Sequence, residues 1–133
     1  MSWTVYISNF LIGKKKGDGG VIIGLEGNVW ARSESMNITT EEAIQLTSVM
    51  KSNDYSTFIE NGIIIGGVKY NVIDSLVSSH IAAVSEDKTS GISCSITSLC
   101  VVLSHWKEGN ETDSHYNLDA TRCCAQYISE AGY

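Results

Sequence analysis

Five aromatic side chains near the two ends of the chain carry the clearest chemical signal. Trp3 and Tyr6 open the sequence, Trp30 lies in a short apolar run, and Tyr127 and Tyr133 close it. Chain ends usually fray, so large amphipathic rings there need something to hold them. One reading is mechanical: the rings staple terminal helices onto a sheet. The other is a solvent-facing aromatic groove. Such a groove receives proline-rich segments, because a polyproline II helix is already ordered, lies against ring faces and offers carbonyls to Trp N–H and Tyr O–H donors. Spacing alone leaves both readings open.

Catalytic chemistry has no comparable signature. There is no Gly-x-Ser-x-Gly elbow, phosphate loop, His-Glu-x-x-His helix or dinucleotide fingerprint. His80, His105 and His115 are far apart in sequence and read as surface or strand-packed residues. The expectation is a binding protein rather than an enzyme, with no cofactor and no metal. Cys94, Cys100, Cys123 and Cys124 fit no zinc spacing. They read as reduced, mostly buried small apolar residues, with the vicinal Cys123-Cys124 pair open to oxidation under stress. In a chain that is not secreted, the sequons at Asn37-Ile38-Thr39 and Asn110-Glu111-Thr112 are chance matches.

Composition bounds the rest. The 133 residues are 43% hydrophobic and 18% charged, which suits one domain over residues 1–133 and excludes a disordered, coiled-coil or fibrous chain. Fifteen acidic against nine basic side chains give a net charge of −6, which argues against nucleic acid as a partner. No apolar run approaches the roughly 18 residues of a membrane span. The N-terminus lacks the basic start and apolar core of a signal peptide, so a cytoplasmic location is expected.

The elements that must position the rings follow from period and punctuation. Ser2 caps a helix over residues 2–12 whose Trp3, Tyr6, Ile7 and Phe10 share a face. Lys14-Lys15-Lys16-Gly17-Asp18-Gly19-Gly20 is a loop. Val21-Ile22-Ile23 and Val29-Trp30-Ala31 read as strands joined by a hairpin turn at Glu26-Gly27-Asn28. Thr39-Thr40-Glu41-Glu42 is a capping-box signature, predicting a helix from about 40 to 51 with Ala43, Leu46, Thr47 and Met50 on one face. From 55 to 105 the period becomes that of strands, at about 63–66, 68–74, 77–84, 91–97 and 99–105, arranged as an antiparallel meander. A last helix is expected over about 117–130, with Leu118, Thr121, Ala125 and Ile128 along a face. The fold class is α+β.

Taken together, these segments resemble the profilin family. Met1-Ser2-Trp3-x-x-Tyr6 looks like its opening. Ile22-Ile23-Gly24-Leu25-Glu26-Gly27-Asn28-Val29-Trp30-Ala31-x-Ser33 is similar to its strand pair. Asn61-Gly62 followed by Gly66-Gly67-Val68-Lys69-Tyr70 resembles its middle segment. Asp119-Ala120-Thr121 and Tyr127-Ile128-x-x-x-Gly132-Tyr133 resemble its last helix and tail. Order and spacing hold over the whole chain and are thinnest from about 85 to 118, where Lys88-Thr89 is the main match.

The resemblance implies a profilin-like central antiparallel sheet with the N- and C-terminal helices on one face and other helices on the opposite face. It implies a monomer of the cytoplasm and cytoskeleton that binds monomeric actin, proline-rich segments of filament-assembly factors, and phosphoinositides. For the proline-rich groove it points to Trp3, Tyr6, Trp30, Tyr127, Ile128 and Tyr133. For actin it points to Phe58, Ile59, Lys69, Asn71, Val72, Ile73, Lys88, Asp119 and Arg122. Asp74 stands where many members carry Arg, and Asp119 where a basic or amide group is common, so actin binding weaker or differently tuned than usual is expected. Lys14, Lys15 and Lys16 are the candidates for phosphoinositide, although a run of three lysines is more often a solvated loop. Two rivals remain: a profilin-fold adaptor that binds proline-rich ligands with weak or no actin binding, and a small enzyme or scaffold whose aromatics are only core.

Overall fold

Apolar alternation along two adjacent strands decides which helices cover which side of the sheet. The protein is seen here as a computed structural model that describes residues 2–77, 79–109 and 112–133, the side chains of residues 76 and 77 excepted. Its elements are α1 (Trp3–Phe10), β1 (Gly19–Gly24), β2 (Val29–Arg32), α2 (Thr40–Ser52), α3 (Ser56–Asn61), β3 (Ile63–Ile65), β4 (Val68–Val77), β5 (His80–Ser85), β6 (Ser90–Ile96), β7 (Cys100–Lys107) and α4 (Ser114–Glu130). The strands form one antiparallel sheet ordered β2-β1-β7-β6-β5-β4-β3. β3 to β7 are the expected meander, and β1 then pairs with β7 from Gly19 opposite His105 to Gly24 opposite Cys100.

Val21, Ile23, Val101 and Leu103 enter one core with Ala43, Leu46 and Met50 of α2 and Phe58 of α3. Their strand neighbours Ile22, Cys100 and Val102 enter the other, with Tyr6, Ile7 and Leu11 from α1 and its flank and Cys124, Ala125 and Ile128 from α4. Both faces of β1 are therefore covered and all six of its residues are buried. A one-residue slip against β7 would exchange every apolar side chain between the two cores. The terminal helices share one face and α2 and α3 take the other, the profilin-like layering that the sequence implies.

The caps read as expected. Ser2 Oγ accepts the amide of Thr4 at 3.2 Å. At α2, Thr39 Oγ1 accepts the Glu42 amide at 3.2 Å and Glu42 Oε1 accepts the Thr39 amide at 3.0 Å. Ala43, Leu46, Thr47 and Met50 are its buried residues, as their spacing predicts. Three features depart from expectation. β4 runs on to Val77, where the pattern suggests a new strand. α3 occupies a stretch read as strand territory; six residues are too few for a helical period to show, and it closes at Gly62 with φ 79°. α4 begins three residues early, where Asp113 Oδ1 accepts the Tyr116 amide at 3.0 Å. That earlier start turns Asn117 fully inward and leaves Leu118 only half-buried, while Thr121, Ala125 and Ile128 are buried as expected.

Two polar side chains, buried Asn117 and half-buried Glu42, tie the layers together. Asn117 Nδ2 donates to Ser104 Oγ on β7 and to the Lys16 carbonyl, both at 2.9 Å, so the lysine loop is fastened to α4 and the sheet. Glu42 does more than cap: Oε1 also accepts the Gly66 amide at 2.9 Å and Oε2 the Gly67 amide at 3.1 Å, gripping the β3–β4 turn. Partial burial pulls the Glu42 pKa up, but the amides of Thr39, Gly66 and Gly67 outweigh it and hold the carboxyl below its ordinary value of 4.5. A lowered folded pKa means that the stabilisation is complete above the unfolded value and is lost as pH falls through the folded one. Glu42→Gln should therefore lower stability by about 1 kcal/mol at pH 7, modest because the carboxylate keeps some contact with water. Thermal melts across pH should show the gap between wild type and variant closing as the pH drops below 4.5.

Candidate functional site

α1 brings Trp3 against rings from two other parts of the chain and against its own Tyr6. Its ring centroid lies 4.7 Å from Trp30 on β2, 4.9 Å from Tyr133 in an edge-to-face contact, and 5.5 Å from Tyr6. Tyr6 continues the strip to Tyr127 of α4 at 6.2 Å. Trp30 reaches this face through a bulge. Ile22 pairs with Ala31 and Ile23 with Val29, so Trp30 is the extra residue between them. Trp30 and Ala31 consequently both pack toward the α1–α4 side, which strict alternation would forbid. Gly24 completes the fit, since a Cβ there would stand 2.7 Å from Trp30 Nε1.

The tail is held by hydrogen bonds. The Tyr133 backbone oxygen accepts the Leu99 amide and Thr97 Oγ1, both at 2.9 Å, and the Tyr133 amide donates to the Ile128 carbonyl at 3.2 Å. The result combines the two sequence readings. Tyr6 is buried and staples α1 down, Trp3 and Trp30 are half-buried, and Tyr127 and Tyr133 remain 50% and 43% exposed. Ile128 is the correction. It is fully buried, because one residue along a helix turns about 100° away from the exposed Tyr127; it supports the strip from below and does not line it. Phe10 is the member that the site assignment missed. It lies one helical turn beyond Tyr6, 6.4 Å from that ring and 5.1 Å from Tyr127, and the helical face named in the sequence already contained it.

The second surface opens where α4 stops. α4 packs on β5, β6 and β7 and borders β4 at its N-terminal end, where Ser114, His115 and Leu118 face Ile73 and Asp74 across a cleft. Lys69, Asn71 and Ile73 are exposed on β4, and Ile64, paired with Lys69 in register, is exposed between buried Ile63 and Ile65. Tyr70 and Val72 turn the other way into the α2–α3 core, so Val72 is not a surface residue of this face. Phe58 is likewise core, at 2% exposed, while Ile59 beside it is 58% exposed. Lys88 is exposed in the β5–β6 turn with φ 63°. Lys69 borders the same turn, lining a groove with Ser85, Glu86 and Asp87.

Asp74 is half-buried and lines a small cleft of about 110 Å³ with Ile73, Ser114, His115 and Leu118. Asp119 is exposed, its Oδ2 3.5 Å from His115 Nε2. Arg122 faces elsewhere, lining a cleft with His80, Ser95 and Gln126. Burial first, and then the Arg122 charge, pushes the His80 pKa down.

The remaining candidates are placed as follows. Lys16 Nζ donates to the Asn9 carbonyl at 2.9 Å, and Lys15 Nζ stands 5.4 Å from the Tyr116 ring centroid; Lys14 is exposed. Lys15 and Lys16 thus have partners within the chain. His80 Nδ1 is 2.7 Å from Ser95 Oγ across adjacent strands, and His105 Nδ1 is 2.6 Å from Asp18 Oδ1. Partial burial raises the Asp18 pKa, but the His105 contact outweighs it and holds the carboxyl low. Among the described residues no three His, Cys, Asp or Glu side chains group as metal ligands, and no helix is long and apolar enough to cross a membrane.

The profilin family model matches residues 1–133, the full length of the chain. The chain belongs to the profilin family. It is 35% identical over 133 residues to profilin-1 of Entamoeba histolytica, covering all of both chains. The solved structure of Schizosaccharomyces pombe profilin superposes with a TM-score of 0.86 at 30% identity, covering 99% of this chain and 100% of that one. Two more distant structures share the fold. Mouse profilin IIa, solved in complex with a double repeat from the FH1 domain of mDia1, has a TM-score of 0.77 at 20% identity and full coverage of both chains. LokiProfilin2, solved in complex with rabbit actin, has a TM-score of 0.75 at 14% identity, covering 98% of each.

Cysteine accessibility checks the placement of α4. Cys94, Cys100 and Cys124 are buried and Cys123 is exposed. Burial pushes the Cys94 and Cys100 thiols up, and the Cys124 thiol up to about 12. Brief alkylation of the folded protein should therefore modify Cys123 alone, and Cys123→Ser should remove the label in intact-mass spectrometry. Rapid modification of Cys124 would mean that α4 is rotated or loose on the sheet.

Proposed function

We propose that the chain is an actin-monomer-binding protein that couples proline-rich assembly factors to filament growth in the cytoplasm, working as a single copy. The observation that carries this reading is the half-exposed aromatic strip, locked at both chain ends onto the face that the family uses for proline-rich ligands. Ring faces contribute on the order of 1 kcal/mol each beyond area burial, and the indole and phenol donors meet the carbonyls of the extended ligand. The complex of mouse profilin IIa with the FH1 repeat supports this role for the fold.

The open β4 surface around Lys69, Asn71 and Ile73, with Ile59 and Lys88 at its margins, is the proposed actin contact; the LokiProfilin2–actin complex supports actin as the partner. β2, which carries Trp30, and β4 are five inter-strand steps apart in the sheet order. At about 4.8 Å per step, the two surfaces are far enough apart for both partners to bind together. The second reading, an adaptor with weak or no actin binding, is favoured by Asp74 and Asp119, two carboxylates bordering this surface. An unmatched like charge at an interface slows association and weakens it.

Two measurements test the surfaces separately. Trp3→Ala should abolish the change in Trp fluorescence on adding polyproline while leaving the far-UV spectrum of a folded domain. Retained binding would remove the strip as the site. The unmodified protein should suppress spontaneous actin nucleation, and Lys69→Glu should relieve that suppression by an order of magnitude in effective concentration. No suppression at tens of micromolar would select the adaptor reading.

A further inference from the structure

The rings of the strip fall into two groups. Trp3, Trp30 and Tyr133 form one, with Trp3 4.7 Å and 4.9 Å from its two partners. Tyr6, Phe10 and Tyr127 form the other, with Phe10 and Tyr127 5.1 Å apart and each a little over 6 Å from Tyr6. Tyr6 links the groups, 5.5 Å from Trp3. Phe10 has the same half-buried setting as Trp3 and Trp30, packed against the α1–α4 core with part of its ring open. Its ring is also nearly parallel to that of Tyr6, at 23°. The position is held, because Lys16 Nζ bonds the Asn9 carbonyl at the end of α1 and Lys16 is itself fastened to Asn117.

A polyproline II helix returns to the same face every three residues, about 9 Å along its axis. Stepping from Trp3 through Tyr6 to the Phe10–Tyr127 pair covers at most little more than one such turn. We propose that Phe10 is a specificity-determining residue of the proline-rich site: with Tyr6 and Tyr127 it forms a second ring group one polyproline turn beyond Trp3, Trp30 and Tyr133, so that the site selects segments of two or more turns over single-turn ones. This rests on the proposed proline-rich role. A single turn fills one ring group and leaves the other wet; a longer segment seats a proline on each.

The test is a fluorescence titration with peptides of three and ten prolines, read from Trp3 and Trp30, since Trp106 is buried; three prolines make one turn and present a single proline to the strip. Phe10→Leu keeps an apolar side chain on the core but removes the ring face. It should weaken binding of the ten-proline peptide about fivefold, the value of one lost ring contact, leave the three-proline peptide unchanged, and be reversed by Phe10→Tyr. Equal weakening for both peptides would overturn the proposal, because Phe10 would then act only by shaping Tyr6. Unchanged binding of both would reduce Phe10 to packing. A wild-type protein that binds neither peptide sinks the proline-rich role itself, an outcome distinct from the other two.

Discussion

The pairing of β1 with β7 is the constraint on which the rest of the molecule depends. It joins the N-terminal hairpin to the meander and is apolar on both faces, with Ile22 and Val102 on one side and Val21, Ile23, Val101 and Leu103 on the other. Burial of β1 on both sides requires helices on both sides. α2 and α3 supply one cover and α1 and α4 the other, and the two surfaces proposed to bind partners follow from how far those covers extend. The aromatic strip forms where α1 meets α4 beside β2. The β4 surface around Lys69 and Asn71 is exposed because α4 packs chiefly on β5, β6 and β7 and borders β4 at Ile73 and Asp74.

Terminal order is the second dependency. Tyr133 is the last residue, yet its backbone oxygen is held by Leu99 and Thr97 in the β6–β7 turn. Trp3 is the third residue and is enclosed by Trp30, Tyr6 and Tyr133. Each end therefore holds the other, and a ligand on the proposed strip would meet rings that are already packed against one another. Preorganisation of this kind matters for a weak extended ligand, because few of its contacts are strong enough to order a loose site as well as bind it. The same logic applies at the far end of α1, where Lys16 and Asn117 fasten the loop that follows Phe10.

The two polar clamps are placed where helices meet loops. Glu42 caps α2 and holds two amides of the β3–β4 turn, which carries the strand pair bearing Ile64 and Lys69. Asn117 holds the lysine loop against α4 and β7. Buried polar groups of this sort specify one arrangement because any other leaves them unpaired. The lysine run is tied in the same way: Lys16 is bonded to Asn9 and Lys15 lies over Tyr116, so these charges serve the fold.

Local chemistry made much of the fold legible from residues alone. The Ser2 and Thr39 caps, the buried face of α2, the hairpin turn and the meander all follow from rules that act within a few residues. Motif order over the whole chain pointed to the family and to Trp3, Tyr6, Trp30, Tyr127 and Tyr133. What tertiary structure alone decided is which way particular side chains face. α3 was missed because its six residues are stabilised by packing Phe58 into the core, not by a visible period. Phe58, Val72 and Ile128 matched motif positions, but Phe58 and Ile128 are buried and Val72 turns toward the core, since neighbouring residues on one element point to different sides. The bulge that swings Trp30 beside Trp3 arises from the register of pairing with β1; the hairpin was expected from the residues, but its register shift was not. Residue type and local period are encoded in the chain; facing and register are settled only when the two cores close on both sides of β1.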